Sequence, residues 1–170
     1  MKSVVECVPN FSEGKDKSVI DSIISEIRSV EGVSILSVDS GYDTNRTVVT
    51  MVGDLDSISK ASFFCIKRAS ELINMKNHKG THPRLGAVDV CPFIPISGVN
   101  MEDCIILSKT VGKKVGEELK IPVYLYENSS TIPYRKKLSD IRSGEYEGLS
   151  KKILEKEWKP DYGPSEFNEH

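Results

Sequence analysis

The sequence predicts an α/β fold of the α+β type, built as a ferredoxin-like βαββαβ sandwich with an additional α-β unit. Two observations lead to this fold. Short apolar runs rich in β-branched residues alternate with longer segments of helical apolar spacing, in the order β-α-β-β-α-β and then α-β. The 170 residues, of which 38% are hydrophobic, are also enough to bury one complete core. We therefore expect a single domain over residues 1–170.

Each predicted element has its own signal in the sequence. The first helix is the clearest, because its four isoleucines at 20, 23, 24 and 27 fall on one face. A polar segment at 39–45 predicts the turn between the second and third strands. The strands are expected at residues 4–8, 33–38, 47–52, 87–94 and 123–126. The helices are expected at residues 17–29, about 57–73 and about 101–119.

Composition and charge exclude two classes of partner. The net charge is −2, with no basic block and no basic patch interleaved with aromatic residues, so we expect no nucleic-acid binding. No apolar run approaches the length of a membrane span, and residues 1–6 are typical of a strand rather than a signal peptide. We therefore expect no membrane association and a cytoplasmic location. The cysteines, none of them in a C-x-x-C pair, are expected to be buried free thiols: Cys7, Cys65, Cys91 and Cys104.

The most informative segment is the loop at 77–86, which holds two of the three histidines and runs into an apolar strand. Such a loop exposes its side chains while the sheet fixes their positions. Imidazole changes protonation state near neutral pH, so we expect proton transfer at His82. The spacing His78-x-x-x-His82 invites a shared metal ion. However, Gly80 and Pro83 disfavour the helix that such a site needs, and we expect no metal.

Taken alone, His82 has a second interpretation as a capping or hydrogen-bonding histidine before the strand. The ionisable neighbours Lys79, Arg84 and Asp89 favour the functional interpretation, because a purely structural loop has little need for them. The loop after the first strand is expected on the same side of the sheet. There Asn10 begins a segment that leads to a helix N-terminus, where anions are favoured, or it simply ends a strand and caps a helix.

Five segments closely resemble one known family, the glutamate formiminotransferases (formiminotransferase-cyclodeaminase), in the N-terminal subdomain of the formiminotransferase domain. They are VECVPNFSEG at 5–14, TNRTV at 44–48, HKGTHPRLGAVDVCPFIP at 78–95, GEYE at 144–147 and WKPDYGP at 158–164. The resemblance covers essentially the whole chain. It implies transfer of the formimino group of N-formiminoglutamate to N5 of tetrahydrofolate, in histidine degradation, with tetrahydrofolate as the co-substrate.

The resemblance also implies site residues. The histidine that matches His82 is catalytic in the family, and one imidazole of pKa about 6.5 can take a proton from the attacking nitrogen and return one to the leaving nitrogen. Asp39 is expected to hold the cationic formimino group or orient the imidazole, unless it only forms the turn. Arg46 and Arg84 are expected to bind carboxylates of substrate or folate. The remaining implied positions are Asn10 and Lys79 for the substrate and Gly163, Pro164 and Ser165 for folate.

The sequence departs from the family pattern in two places. In the family, a second α/β subdomain follows the segment that matches 161–164, and folate lies in a tunnel between the two halves. We therefore expect a homodimer or a separately encoded second subdomain to complete the tunnel. Residues 126–130 also differ, since relatives have small apolar residues after the acidic position. The alternative functions are a non-catalytic domain that binds folate or a partner, and a glutamate formyltransferase.

Overall fold

A computed structural model describes residues 3–168 and confirms the α+β class. The strands are β1 (Val4–Cys7), β2 (Asn10–Phe11), β3 (Ser34–Gly41), β4 (Arg46–Gly53), β5 (Val88–Val90) and β6 (Phe93–Ser97). The α-helices are α1 (Lys17–Arg28), α2 (Leu55–Leu72), α3 (Met101–Lys114), α4 (Leu138–Arg142) and α5 (Glu145–Lys152). None of the helices in the described part of the chain has the length and apolarity needed to cross a membrane.

The strands form one antiparallel sheet whose order matches the ferredoxin-like prediction. β1 and β2 lie end to end along one side of β4, while β3 lies along its other side. β6 pairs with β1, and β5 pairs with β2. When each end-to-end pair is taken as one interrupted strand, the order across the sheet is fourth, first, third, second. This is the arrangement of a split βαβ unit.

Prolines interrupt two strands of the sheet, and β2 lies beyond the strand predicted at 4–8. The strand predicted at 87–94 is present as β5 and β6, because Pro92 has no N–H to donate to a ladder. Pro9 separates β1 from β2, although its carbonyl accepts a hydrogen bond from Val49 N at 3.0 Å. Val8 N donates to the Pro92 carbonyl at 3.3 Å, so both strands break at the same level of the sheet.

The three long helices begin within two residues of their predicted starts, because capping side chains fix their N-termini. Asp16 caps α1 by accepting a hydrogen bond from Ser18 N at 2.9 Å, and Asp54 caps α2 in the same manner. Asn100 and Asp103 form a reciprocal capping box at the start of α3. α3 then continues into a π-helical turn at Val115–Leu119, so the helix predicted at 101–119 is confirmed in extent.

The additional α-β unit is confirmed only in its helix, α3. The strand predicted at 123–126 is wrong, because a single bridge joins Val123 to Tyr162 and short helical turns follow. Val123 N donates to the Tyr162 carbonyl at 2.9 Å, but Leu125 N donates to the Asp161 carboxylate at 2.8 Å. A side chain therefore takes the place that a neighbouring strand would fill.

The helices cover one face of the sheet, and the core lies between them. Val49 and Met51 of β4 are fully buried on this helical face, whereas their neighbours along the strand are only half-buried on the other. On that second face, Ile94 and Ile96 of β6 are 38% and 57% exposed. The open face consists of the residues that point away from the helices, including Asn10, Asp39, Arg46, Val48, Val52, Ile94 and Ile96.

All four cysteines are free. Cys7, Cys65 and Cys104 are buried as predicted, and burial raises the pKa of each of these thiols. Cys91 is only half-buried, with its Sγ 3.6 Å from that of Cys7. The raised pKa values are typical of packed, unreactive thiols rather than nucleophiles.

Candidate active site

The closest pair among the predicted site residues is His82 and Arg46. Arg46 is the first residue of β4 and pairs through its Nη1 with Nε2 of His82. Because a guanidinium only donates hydrogen bonds, we assign His82 Nε2 as the acceptor and place the imidazole proton on Nδ1. Nδ1 is buried and has no hydrogen-bond partner among the described residues. The neutral, Nδ1-protonated form of His82 fits this arrangement, with the Nε2 lone pair facing an arginine.

The surroundings of His82 favour this neutral form. Burial lowers the pKa of His82, and the positive charges of Arg46 and Arg142 lower it further. The Asp89 carboxylate acts in the opposite direction, but it does not reverse the shift. A neutral imidazole at pH 7 is ready to accept a proton, which is the first requirement of a general base.

The other histidine of the loop has a structural position. His78 is buried, and its Nε2 lies 2.8 Å from the Asn45 carbonyl oxygen. Its Nδ1 accepts a hydrogen bond from Arg84 Nε at 3.1 Å. His78 Nε2 therefore carries the proton and donates it to the Asn45 carbonyl, and the Nδ1 lone pair is taken by Arg84, so no lone pair is left for a metal ion shared with His82.

Arg84 has different partners from those that the sequence led us to expect. Its guanidinium is buried and pairs with Glu145 at 2.7 Å and with Glu147 at 2.6 Å. The hydrogen bond with Glu147 raises the pKa of Arg84 and lowers that of Glu147. Because the chain's own carboxylates occupy this guanidinium, the structure favours a role in holding the loop against α5 over the predicted binding of a substrate carboxylate.

Asn10 and Asp39 lie on the open face with Arg46. Val48 pairs with Asp39 on one side and with Asn10 on the other, so these three side chains form one row across the sheet. Arg46 stands on the same face two positions earlier on β4. Asp39 is part of β3, and the turn begins only at Tyr42, so the interpretation of Asp39 as a turn-forming residue is wrong.

The remaining predicted residues lie elsewhere. Lys79 is exposed and lines a shallow surface cavity with Arg84 and Glu147, and His82 is not part of that lining. Gly163, at φ +84°, packs against the Ile121 carbonyl and Gly116 at the end of α3. Pro164 and Ser165 follow it there. The structure therefore brings together Asn10, Asp39, Arg46 and His82, but not Lys79, Arg84 or the segment 163–165.

Sequence reasoning missed Asn45, which joins three segments around the site. Its side chain accepts a hydrogen bond from Gly14 N at 3.0 Å and donates one to the Lys79 carbonyl at 3.0 Å. Asn45 is buried and has a φ of +48°, a conformation that asparagine adopts more readily than most residues. The available signal was its position at the end of a polar turn, directly before a β-branched strand.

Comparison with known proteins gives one consistent family. Residues 4–170 match the family model described as the formiminotransferase domain, N-terminal subdomain. The formimidoyltransferase-cyclodeaminase of Dictyostelium discoideum is 53% identical over 167 residues, which are 98% of this chain and 31% of that protein. The protein of the same name from Rattus norvegicus is 49% identical over an equal share.

A shorter relative covers the same region. The glutamate formimidoyltransferase of Streptococcus pyogenes serotype M1 is 47% identical over 163 residues, which are 96% of this chain and 54% of that protein. The chain thus spans about a third of the cyclodeaminase relatives and about half of the shorter one.

Proposed function

The chain belongs to the family of the formiminotransferase domain's N-terminal subdomain, and on that premise we propose that it carries the catalytic histidine of a glutamate formimidoyltransferase. The reaction would move the formimino group of N-formiminoglutamate to N5 of tetrahydrofolate, in histidine degradation. The observation that carries this proposal is the neutral His82, paired with Arg46 on the open face. Tetrahydrofolate is the co-substrate, and the proposal needs no metal ion.

The proton transfers assign His82 two successive tasks. N5 of tetrahydrofolate attacks the formimino carbon, and a C–N bond forms to give a tetrahedral intermediate. His82 Nε2 accepts the proton that N5 loses. The resulting imidazolium then donates that proton to the glutamate nitrogen as the old C–N bond breaks, so the imidazole is neutral again at the end. A histidine with a lowered pKa suits this sequence, because its cation readily gives the proton back.

The pairing with Arg46 assigns that residue a linked task. In the structure, the Arg46 guanidinium occupies the same Nε2 lone pair that must accept the proton. We propose that a substrate carboxylate draws Arg46 into a bidentate ion pair and so frees Nε2. Substrate binding and activation of the base would then be one event. Asp39, exposed in the same region of the open face, is proposed to hold the cationic formimino group, and Asn10 to bind the substrate beside it.

The open face is proposed as one wall of the folate site. It carries half-buried and exposed apolar side chains beside the catalytic group, which is typical of a surface that another unit covers. We propose that a second subdomain, or a second copy of the chain, forms the opposite wall. Gly163, Pro164 and Ser165 are proposed to contact more distant parts of the folate molecule, and Lys79 is proposed to contact the substrate. We also propose a cytoplasmic location, because the proposed reaction is a step of amino-acid degradation.

Reconstitution tests the proposal. The chain would be assayed with N-formiminoglutamate and tetrahydrofolate, alone and mixed with the C-terminal half of the Streptococcus pyogenes relative. We expect formation of the transferred product in the mixture and little or none with either part alone. The same assay with N-formylglutamate as the donor tests the formyltransferase alternative, which predicts transfer from this donor. Saturable binding of tetrahydrofolate without transfer in the mixture would instead favour the non-catalytic alternative.

A further inference from the structure

An ion pair outside the mechanism above lies behind the His82 loop. Asp89 is at the centre of β5, its side chain is 2% exposed, and its carboxylate pairs with the guanidinium of Arg142. The other carboxylate oxygen accepts a hydrogen bond from Leu85 N at 3.0 Å. One buried carboxylate therefore ties the backbone just after His82 to the last residue of α4.

Arg142 is held by contacts that do not involve the loop. α4 has only 5 residues, too short to be stable alone. Lys152 of α5 fixes it by donating from Nζ to the carbonyls of Asp140 at 2.9 Å, Ile141 at 2.7 Å and Ser143 at 3.0 Å. The Ile141 side chain is buried beneath. The packing of α4 on α5 therefore positions the Arg142 guanidinium beside Asp89 of β5.

Several buried polar atoms around the Asp89–Arg142 pair have no hydrogen-bond partner among the described residues. His82 Nδ1, Arg142 Nε and Tyr126 Oη are all buried without a hydrogen-bond partner among residues 3–168. Asp89 and Arg142 act electrostatically on both His82 and Tyr126, so these groups form one partly buried polar cluster. In such surroundings, a fixed charge acts on its neighbours more strongly than in water.

Three charged groups on three different elements act electrostatically on His82. Arg46 belongs to β4, Arg142 to α4 and Asp89 to β5. Two of the three are cations, and Arg46 is the one that we propose to leave when substrate binds. Arg142 has no such freedom, because its guanidinium is committed to the buried Asp89.

We propose that Arg142 is a positioning residue of the candidate site: paired with Asp89, it fixes the His82 loop and compensates the negative charge of this carboxylate near the imidazole. Without Arg142, the unpaired Asp89 carboxylate would favour the imidazolium, so the pair leaves His82 in its neutral, proton-accepting form even after Arg46 has moved. The consequence for transfer rests on the proposed function, whereas the effect on the imidazole does not.

The test is an NMR titration of the His82 imidazole in the isolated chain, with its signal assigned by loss in His82→Gln. Arg142→Gln removes the charge and should raise the pKa of His82 by roughly half a unit or more. Arg142→Lys keeps a cation and should leave the pKa close to that of the parent protein. Arg68→Gln, a change at an arginine on α2, is the control and should have no effect.

Equal shifts in Arg142→Lys and Arg142→Gln would overturn the proposal, because they would show a loosened loop rather than a lost charge. A titration in Arg142→Gln that matches the parent would do the same. Circular dichroism checks each fold, and Arg142→Met, which keeps the apolar stem, replaces Arg142→Gln if the latter unfolds. In the reconstituted mixture, the acidic limb of the pH profile of kcat/KM should shift to higher pH in Arg142→Gln, but not in Arg142→Lys or Arg68→Gln. Absence of any transfer in the parent mixture would refute the proposed function and leave the titration result standing.

Discussion

At the scale of single residues, strand patterns place some of the candidate site residues, whereas long-range partners leave no local signal. Arg46, Asp39 and Asn10 share the open face because strand alternation and register place them there, and His82 pairs with Arg46 from its loop. The carboxylate partners of Arg84 were not predicted, because they belong to α5, more than 60 residues further along the chain. Such long-range pairs leave no local signal in a single sequence, whereas strand alternation does.

The lowered pKa of His82 predicts a pH dependence of stability. Between that depressed value and the ordinary value of 6.5, the unfolded chain binds a proton at this position that the folded chain does not. The free energy of unfolding should therefore fall as the pH falls through this window, and level off below it. Urea denaturation at a series of pH values measures the effect. His82→Gln should show a shallower decline, and an identical decline in both proteins would contradict the assignment.

At the scale of elements, the His82 loop is held by contacts with distant segments rather than by a helix or strand of its own. Asn45 ties it to the turn before β4, and Arg84 ties it to α5. Gly80 allows the closest approach, because a Cβ at this position would lie 2.2 Å from the Thr44 carbonyl oxygen. The sequence indicated that the loop was special, but its shape depends on these two distant segments.

Replacement of Gly80 tests that close approach. Gly80→Ala should lower the free energy of unfolding by about 1–3 kcal/mol, because the backbone of the loop must move away from Thr44. Gly148→Ala is the matched control, since nothing lies within 4 Å of the added Cβ on helix α5. This control should be neutral or stabilising by up to about 1 kcal/mol. Equal stabilities of the two variants in urea denaturation would show that the loop is not packed as described.

At the scale of the whole molecule, the sheet and its helices follow from the sequence, but the last strand does not. Hydrophobic periodicity identified every helix of more than ten residues and the strands of the split βαβ unit. The segment 123–126 has a strand-like composition, yet Asp161 and Tyr162 supply its hydrogen bonds. Periodicity records which side chains are apolar, and not which backbone groups will pair.

The open face yields a prediction about assembly. Ile96→Glu places a charge among its apolar side chains and should weaken association with the second subdomain or with another copy. Ile96 is 57% exposed, so the fold of the variant should be unaffected. Leu154→Glu is the control, because Leu154 is 74% exposed in the turn after α5, outside the sheet. Light scattering at micromolar concentration compares the two variants. A parent chain that stays monomeric both alone and with the second subdomain would contradict this use of the open face.

His82 is proposed to transfer the protons of the formimidoyl reaction, and the transfer rate of His82→Ala in the reconstituted mixture tests this role. The fold should survive, because a half-buried loop residue adds little to the core. The rate should fall by roughly 10²–10⁴-fold, the usual contribution of a positioned general acid–base group. A transfer rate equal to that of the parent, in a variant with an unchanged circular dichroism spectrum, would contradict the account.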